Sequence, residues 1–129
     1  MPEDSDVRYI DIEDVAALIA HLGIGPIRDV GLIESSLHRP RAVVFGMETY
    51  PDLLEKAAAL LHSLARNHAL FDGNERIAWA SMVLFLRLND LRVSAHTRQN
   101  LEFMFACARG DLELEQMTEW LREHSQPVA

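Results

Sequence analysis

Between Ile77 and Leu88 only Ser81 and Arg87 interrupt a run of apolar residues. A helix that is apolar nearly all round has no face to give to water, so other helices must enclose it. Read as a helix from Asn74 to Asn89, this run commits the chain to a multi-helix bundle. Helical spacing recurs on both sides of it. Ile12, Val15, Ala16 and Ile19 follow a capping Asp11 and end at Gly23, and Gly23 to Pro26 reads as a turn. Leu32, Ile33 and Leu37 follow a start at Asp29 or Gly31. Leu53, Ala57, Leu60, Leu61 and Leu64 form one face running through Ala65, with Pro51 suited to the first helical position. Leu101, Met104, Phe105 and Ala108 point inward from a helix that Thr97 caps and Gly110 closes. Leu114, Met117, Trp120 and Leu121 repeat behind a capping Asp111. Pro40 stops the second helix, and the β-prone Val43-Val44-Phe45 is too isolated to build a sheet, so it reads as a flap. Tyr9-Ile10 reads as a short extended piece, and residues 1–7 are polar and expected to be disordered. The prediction is an all-α fold, a compact bundle with a buried central helix and a short β-like flap, in a single domain over residues 1–129.

With 12 basic and 20 acidic residues the formal charge is −8, which argues against a nucleic-acid partner held by phosphate contacts. The one cysteine, Cys107, excludes an internal disulfide and fits a reducing compartment. No apolar run reaches the length of about 18 that a membrane span requires, and the acidic start Met1-Pro2-Glu3-Asp4 is unlike a signal peptide. These features predict a cytoplasmic protein with no membrane partner. Nothing has the ligand spacing of a zinc site.

Directly ahead of the apolar run stands His68-Ala69-Leu70-Phe71-Asp72-Gly73-Asn74-Glu75-Arg76. A helix opening near Asn74 points free backbone N–H groups, and the positive end of its dipole, at whatever lies in this loop; phosphates bind such places. Gly73 lets the backbone take a positive φ and approach a ligand closely. Arg76 offers a fork that matches phosphate oxygens, at the helix end where a cation is otherwise disfavoured. His68 accepts a proton near neutral pH, and Asp72 is a hard oxygen donor of the kind magnesium takes beside phosphates. Each residue also has a plainer reading: a surface histidine, a capping aspartate, a Gly-Asn turn and an ion-paired arginine. As a set they describe phosphate chemistry on a hydroxyl.

The pattern His68-x-x-x-Asp72-Gly73-Asn74-x-Arg76 resembles the signature of the Fic/Doc family, roughly His-x-Phe-x-(Asp/Asn/Glu)-(Gly/Ala)-Asn-(Gly/Lys)-Arg. Glu34-Ser35, Arg39-Pro40, Phe45-Gly46, Tyr50-Pro51, Glu55-Lys56-Ala57-Ala58 and Ala65-Arg66-Asn67 are similar to the Doc branch, the death-on-curing toxins. The likeness runs from about Tyr9 to about Trp120. It implies a Fic/Doc-like bundle with ATP and Mg2+ as cofactors. His68 would be the base that takes the hydroxyl proton and Asp72 the magnesium ligand. Gly73, through its amide, and Asn74, through its side chain, would cradle phosphate together with residue 75 and Arg76. For Doc the resemblance implies phosphoryl transfer to a serine or threonine of elongation factor Tu and neutralisation by a Phd-type antitoxin, for which an apolar groove is expected, with the side of the flap as a candidate place. Fic-type relatives transfer AMP instead. The flap would hold the target peptide by strand addition, against the plainer reading of a hydrophobic loop tucked onto the core.

Two positions depart from the pattern. Leu70 replaces the usual Phe, an apolar exchange expected to anchor the loop equally well. Glu75 stands where Doc proteins have Lys. At an effective dielectric of about 20 and about 5 Å from a phosphate charge, its carboxylate would repel by roughly 3 kcal/mol. Three explanations stay open: Glu75 faces solvent, the chain is an impaired member acting only by binding its antitoxin, or the sequence is an altered copy of a toxin that kills its host when active.

Overall fold

The computed structural model describes residues 6–128; the first five residues of the stretch expected to be disordered lie outside it, and Val7 packs against the core. Among the described residues the fold is all-α, with six helices and two minimal strand pairs. The helices are α1 (Ile12–Leu22), α2 (Val30–His38), α3 (Leu53–Asn67), α4 (Asn74–Leu88), α5 (Thr97–Arg109) and α6 (Leu114–His124). A 3-10 turn, Arg39–Arg41, follows α2 and contains the buried Pro40. Strands β1 (Val43–Val44) and β2 (Met47–Glu48) pair as an antiparallel hairpin, the flap. Its two tip residues, Phe45 (φ 51°) and Gly46 (φ 75°), both take positive φ, the pattern of a tight turn matched to strand twist. Strands β3 (Leu91–Val93) and β4 (Ser125–Pro127) pair antiparallel and tie the C-terminal segment to the end of α4, an element that two three-residue stretches are too short to announce.

Helices α3 and α4 form the central antiparallel pair, and α3 is the more deeply buried. Ten of its residues are enclosed, because Ala57, Ala58 and Ala59 let α2, α4, α5 and α6 approach it from several sides. The single apolar face read from its spacing was too narrow. Helix α4 buries Ile77, Ala78, Ser81, Met82, Phe85 and Leu86, while Trp79, Ala80 and Val83 are only half-buried. Tyr9 stacks on Phe85 with ring centroids 5.9 Å apart, and the adjacent Ile10 is buried.

Several helix starts differ from the sequence reading. Helix α3 begins after Pro51, at Leu53, because Asp52 accepts from the Leu54 N–H (2.8 Å) and Glu55 accepts from the Asp52 N–H (3.3 Å). Helix α6 begins behind Glu113 rather than Asp111, whose carboxylate is held by Arg109 at 2.8 Å. Thr97 is the first residue of α5, not its cap. Ala16 on α1 is exposed, and so are Leu101 and Phe105 on α5, which were expected inward; Phe103, Met104 and Cys107 fill the core in their place. Asp11 and Asp29 cap α1 and α2 as expected.

Candidate functional site

The signature loop joins the central pair, leaving α3 at Asn67 and entering α4 at Asn74. It is fixed from below by the α1–α2 connector. Arg28 and Asp29 N–H groups donate to the Ala69 carbonyl (2.7 and 3.0 Å), Phe71 N–H donates to Pro26 O (3.0 Å), and Gly25 N–H donates to Asp72 O (3.0 Å). Ile27 and Leu70 form an antiparallel bridge, and Leu70 is 2% exposed, so the residue standing in for Phe does anchor the loop. The sequence reading took this connector for a simple turn.

His68 caps the C-terminus of α3 in the left-handed conformation (φ 52°, ψ 53°). A non-glycine residue rarely adopts this region and needs its surroundings to hold it. Arg28 supplies that hold: its Nε donates to the His68 carbonyl at 2.9 Å, with Nη2 on the same oxygen. The imidazole is exposed, and no described side chain hydrogen-bonds to it, so backbone position rather than a carboxylate partner aims it. One residue earlier, Asn67 ties α3 to α2 through Leu32 O (2.9 Å) and Ser36 Oγ (2.6 Å).

Gly73 precedes α4 with φ 93°, and a Cβ there would stand 2.6 Å from Ile24. Both the φ and the close approach demand glycine. No side chain caps α4. Asp72, the expected alternative cap, instead lies 3.6 Å from Arg76 in an ion pair between two largely exposed side chains (79% and 59%). The first N–H groups of α4 therefore remain open, beside a cation and a hard carboxylate.

Asn74 differs from expectation. Its Oδ1 accepts from Leu70 N–H and its Nδ2 donates to Leu70 O, both at 2.9 Å, so the side chain closes the loop on itself. One Nδ2 hydrogen and the backbone N–H are left over from this clasp. Glu75 is exposed, and with Arg76 it stands at the mouth of an apolar cleft of about 600 Å³. The cleft runs between Leu22 at the end of α1, Trp79 and Ala80 of α4, and Leu101, Met104 and Phe105 of α5, which explains why Leu101 and Phe105 are uncovered. No flap residue lines it.

The flap is not tucked onto the core: Val43, Val44, Phe45 and Met47 are exposed, Phe45 completely. Its roots are nevertheless fixed. The buried Lys56 ammonium pairs with Glu48 at 2.6 Å and donates to Tyr50 O (2.6 Å) and Pro40 O (3.3 Å). Burial alone would lower its pKa, but the Glu48 hydrogen bond and charge, with Tyr9, outweigh that and raise it. Arg39 donates to Tyr50 Oη (3.0 Å), Ser63 Oγ (3.0 Å) and Ala59 O (3.4 Å), and lies 2.8 Å from His62 Nδ1. Burial first, then the charges of Arg39 and Arg66, push the His62 imidazole below its ordinary pKa. Arg66 itself is turned away from the loop, donating to Ala108 O at 3.1 Å.

Among the described residues no group of three metal-ligating side chains occurs, and no helix is long and apolar enough to cross a membrane. The profile of the Fic/DOC family matches residues 8–86. Over 90 residues, 68% of this chain and 69% of the relative, the sequence is 52% identical to a Toxin Doc of Mycolicibacterium smegmatis. Over 121 residues, 90% of this chain and 94% of the relative, it is 30% identical to the protein kinase doc of Escherichia phage P1. With the signature loop built between the two central helices and the profile spanning it and the flap, this chain belongs to the Fic/Doc family.

Proposed function

We propose that the chain is a Doc-type toxin that transfers a phosphoryl group from ATP to a serine or threonine hydroxyl of a translation factor, elongation factor Tu by resemblance. It acts in the cytoplasm, where nucleotide and factor meet, and a Phd-type antitoxin neutralises it. The observation that carries this reading is the open N-terminus of α4 set beside an exposed imidazole that its own backbone aims. The amides of Gly73 to Arg76 and the Arg76 guanidinium hold the phosphates, and His68 takes the hydroxyl proton as the oxygen attacks the γ phosphorus and the bond to ADP breaks. Asp72 is one exposed hard donor with no further carboxylate cluster, which suits a magnesium ion carried in largely by phosphate and water oxygens. Bound there, magnesium would neutralise phosphate charge. The name of the phage relative favours phosphoryl over adenylyl transfer. The apolar cleft behind Arg76 is the groove for a disordered antitoxin segment that folds on binding.

Glu75 favours a second reading, an impaired member that keeps fold and cleft but binds nucleotide poorly, because its carboxylate stands next to Arg76 at the phosphate end of α4. Transfer of label from γ- and α-labelled ATP onto elongation factor Tu separates the readings, using the natural chain, Glu75→Lys, and Glu75→Lys with His68→Ala. Label from the γ position with the natural chain supports the toxin; label only with Glu75→Lys, lost again with His68→Ala, supports the impaired member. Label from the α position makes the protein an AMP transferase, and no label from any variant removes elongation factor Tu as the target.

A further inference from the structure

The acidic chain holds a concavity of the opposite sign. At the base of the flap an open pocket of about 510 Å³ is lined by His38, Arg39, Arg41, Ser35 and Ser63, with Val43 of β1 at its edge, and among the described residues no carboxylate lines it. The formal charge of the whole chain is −8, so a site with two guanidinium groups, an imidazole and two hydroxyls runs against the average composition. Neither guanidinium is neutralised by a carboxylate among the described residues: Arg39 spends its bonds on neutral partners, and Arg41 lies over the Tyr9 ring at 4.3 Å. The lowered pKa of His62, caused after burial by the Arg39 charge, registers the same positive field.

The pocket is also fixed in place. Arg39 binds α3 and Tyr50, while Lys56 holds Pro40 and Glu48 on either side of the hairpin, so both roots of the flap are tied to α3. A chain laid along β1 passes over the pocket at Val43. We infer that this pocket receives an acidic side chain, aspartate or glutamate, of the protein segment that the flap holds, and so selects target sequences with a carboxylate near the modified hydroxyl. The inference rests on the flap holding the target segment by strand addition, as the Fic/Doc resemblance implies. The chemistry is that of a carboxylate taking charge-assisted bonds from Arg39, Arg41 and His38 in a partly enclosed site.

The test uses peptides with a central threonine in which each flanking position carries in turn Glu, Gln or Lys. Binding is read by fluorescence anisotropy without ATP, and label transfer is read separately. A Glu peptide at one position should bind about tenfold more tightly than its Gln counterpart, the scale of a hydrogen bond to a charged group. Arg41→Gln should reduce that ratio to about one, Arg41→Lys should keep much of it, and Arg41→Glu should invert it in favour of the Lys peptide. Arg41→Glu inverting the preference excludes a mere folding defect. Arg41-dependent binding of the Glu peptide without any label transfer would sustain this inference while counting against the phosphotransferase reading. Label transfer indifferent to peptide charge, or no peptide bound with a charge preference, would overturn the inference.

Discussion

The signature loop and the flap are both anchored on α3, and different forces hold them. At the C-terminal end the signature loop is fixed mainly by neutral hydrogen bonds and by backbone conformation, with the Arg28 guanidinium on the His68 carbonyl as a charged addition: Asn74 clasps Leu70, the connector binds Ala69 and Asp72, and Gly73 sits over Ile24. Near the N-terminal end the flap is fixed by a buried charge, Lys56 on Glu48, and by the Arg39 fan. In both, the base is rigid while the reactive or docking side chains stand free. The difference teaches where each part is vulnerable, the loop to changes of backbone freedom and the flap to loss of charge.

Removing the base should have the largest effect. His68→Ala is expected to lower label transfer by about 10²- to 10⁴-fold while leaving the fold and its unfolding midpoint unchanged. Transfer that survives this change would mean the loop end does not do the chemistry. The flap end breaks next. Lys56→Met removes the buried ammonium shared by Glu48, Tyr50 O and Pro40 O and should cost about 3 kcal/mol, toward the lower end of the range for broken buried pairs because Glu48 still reaches water. Urea unfolding reads the loss, and adding Glu48→Gln should recover part of it. At the loop end Gly73→Ala meets both a positive φ and Ile24, and should cost about 2 kcal/mol in the same assay.

The smallest expected effects come from pH, and both belong to the anchorage of the flap. The raised pKa of Lys56 means that its contribution is fully present below its unfolded value of 10.5 and is lost only as the pH climbs through the higher folded value. His62 has the opposite sign: its folded pKa lies below 6.5, so its contribution holds above that pH and is lost as the pH falls through the folded value. Thermal melts between neutral and mildly acidic pH should therefore show a downward slope that His62→Gln flattens.

Most of the loop was legible from the sequence because its geometry is local. Gly73 ahead of an apolar run, and a titratable residue one turn past an apolar face, are signals of spacing alone. The open end of α4 follows directly from that pattern, whereas the anchoring by Leu70 is legible only through the family resemblance, which puts an apolar residue there. What stayed hidden depends on contacts distant in sequence. Nothing in Arg28 announces that it reaches the His68 carbonyl 40 residues away, and the pairing of β3 with β4 joins segments too short to show a period. The exposed Leu101 and Phe105 were misread for a related reason: they lie one turn apart on an apolar helix, and only the position of α4 decides which stripe is covered. Asn74 shows a local trap, since the same side chain that can reach a ligand can close its own loop.

The central claim is that the first amides of α4 are the phosphate cradle. It is tested most directly by following the backbone amide resonances of the labelled protein while ATP and magnesium are added. The account predicts that the largest shifts fall on Gly73, Asn74, Glu75 and Arg76, grow stronger with Glu75→Lys, and leave the amides of the flap unmoved. Shifts concentrated elsewhere, with these four amides silent in both the natural chain and Glu75→Lys, would contradict it.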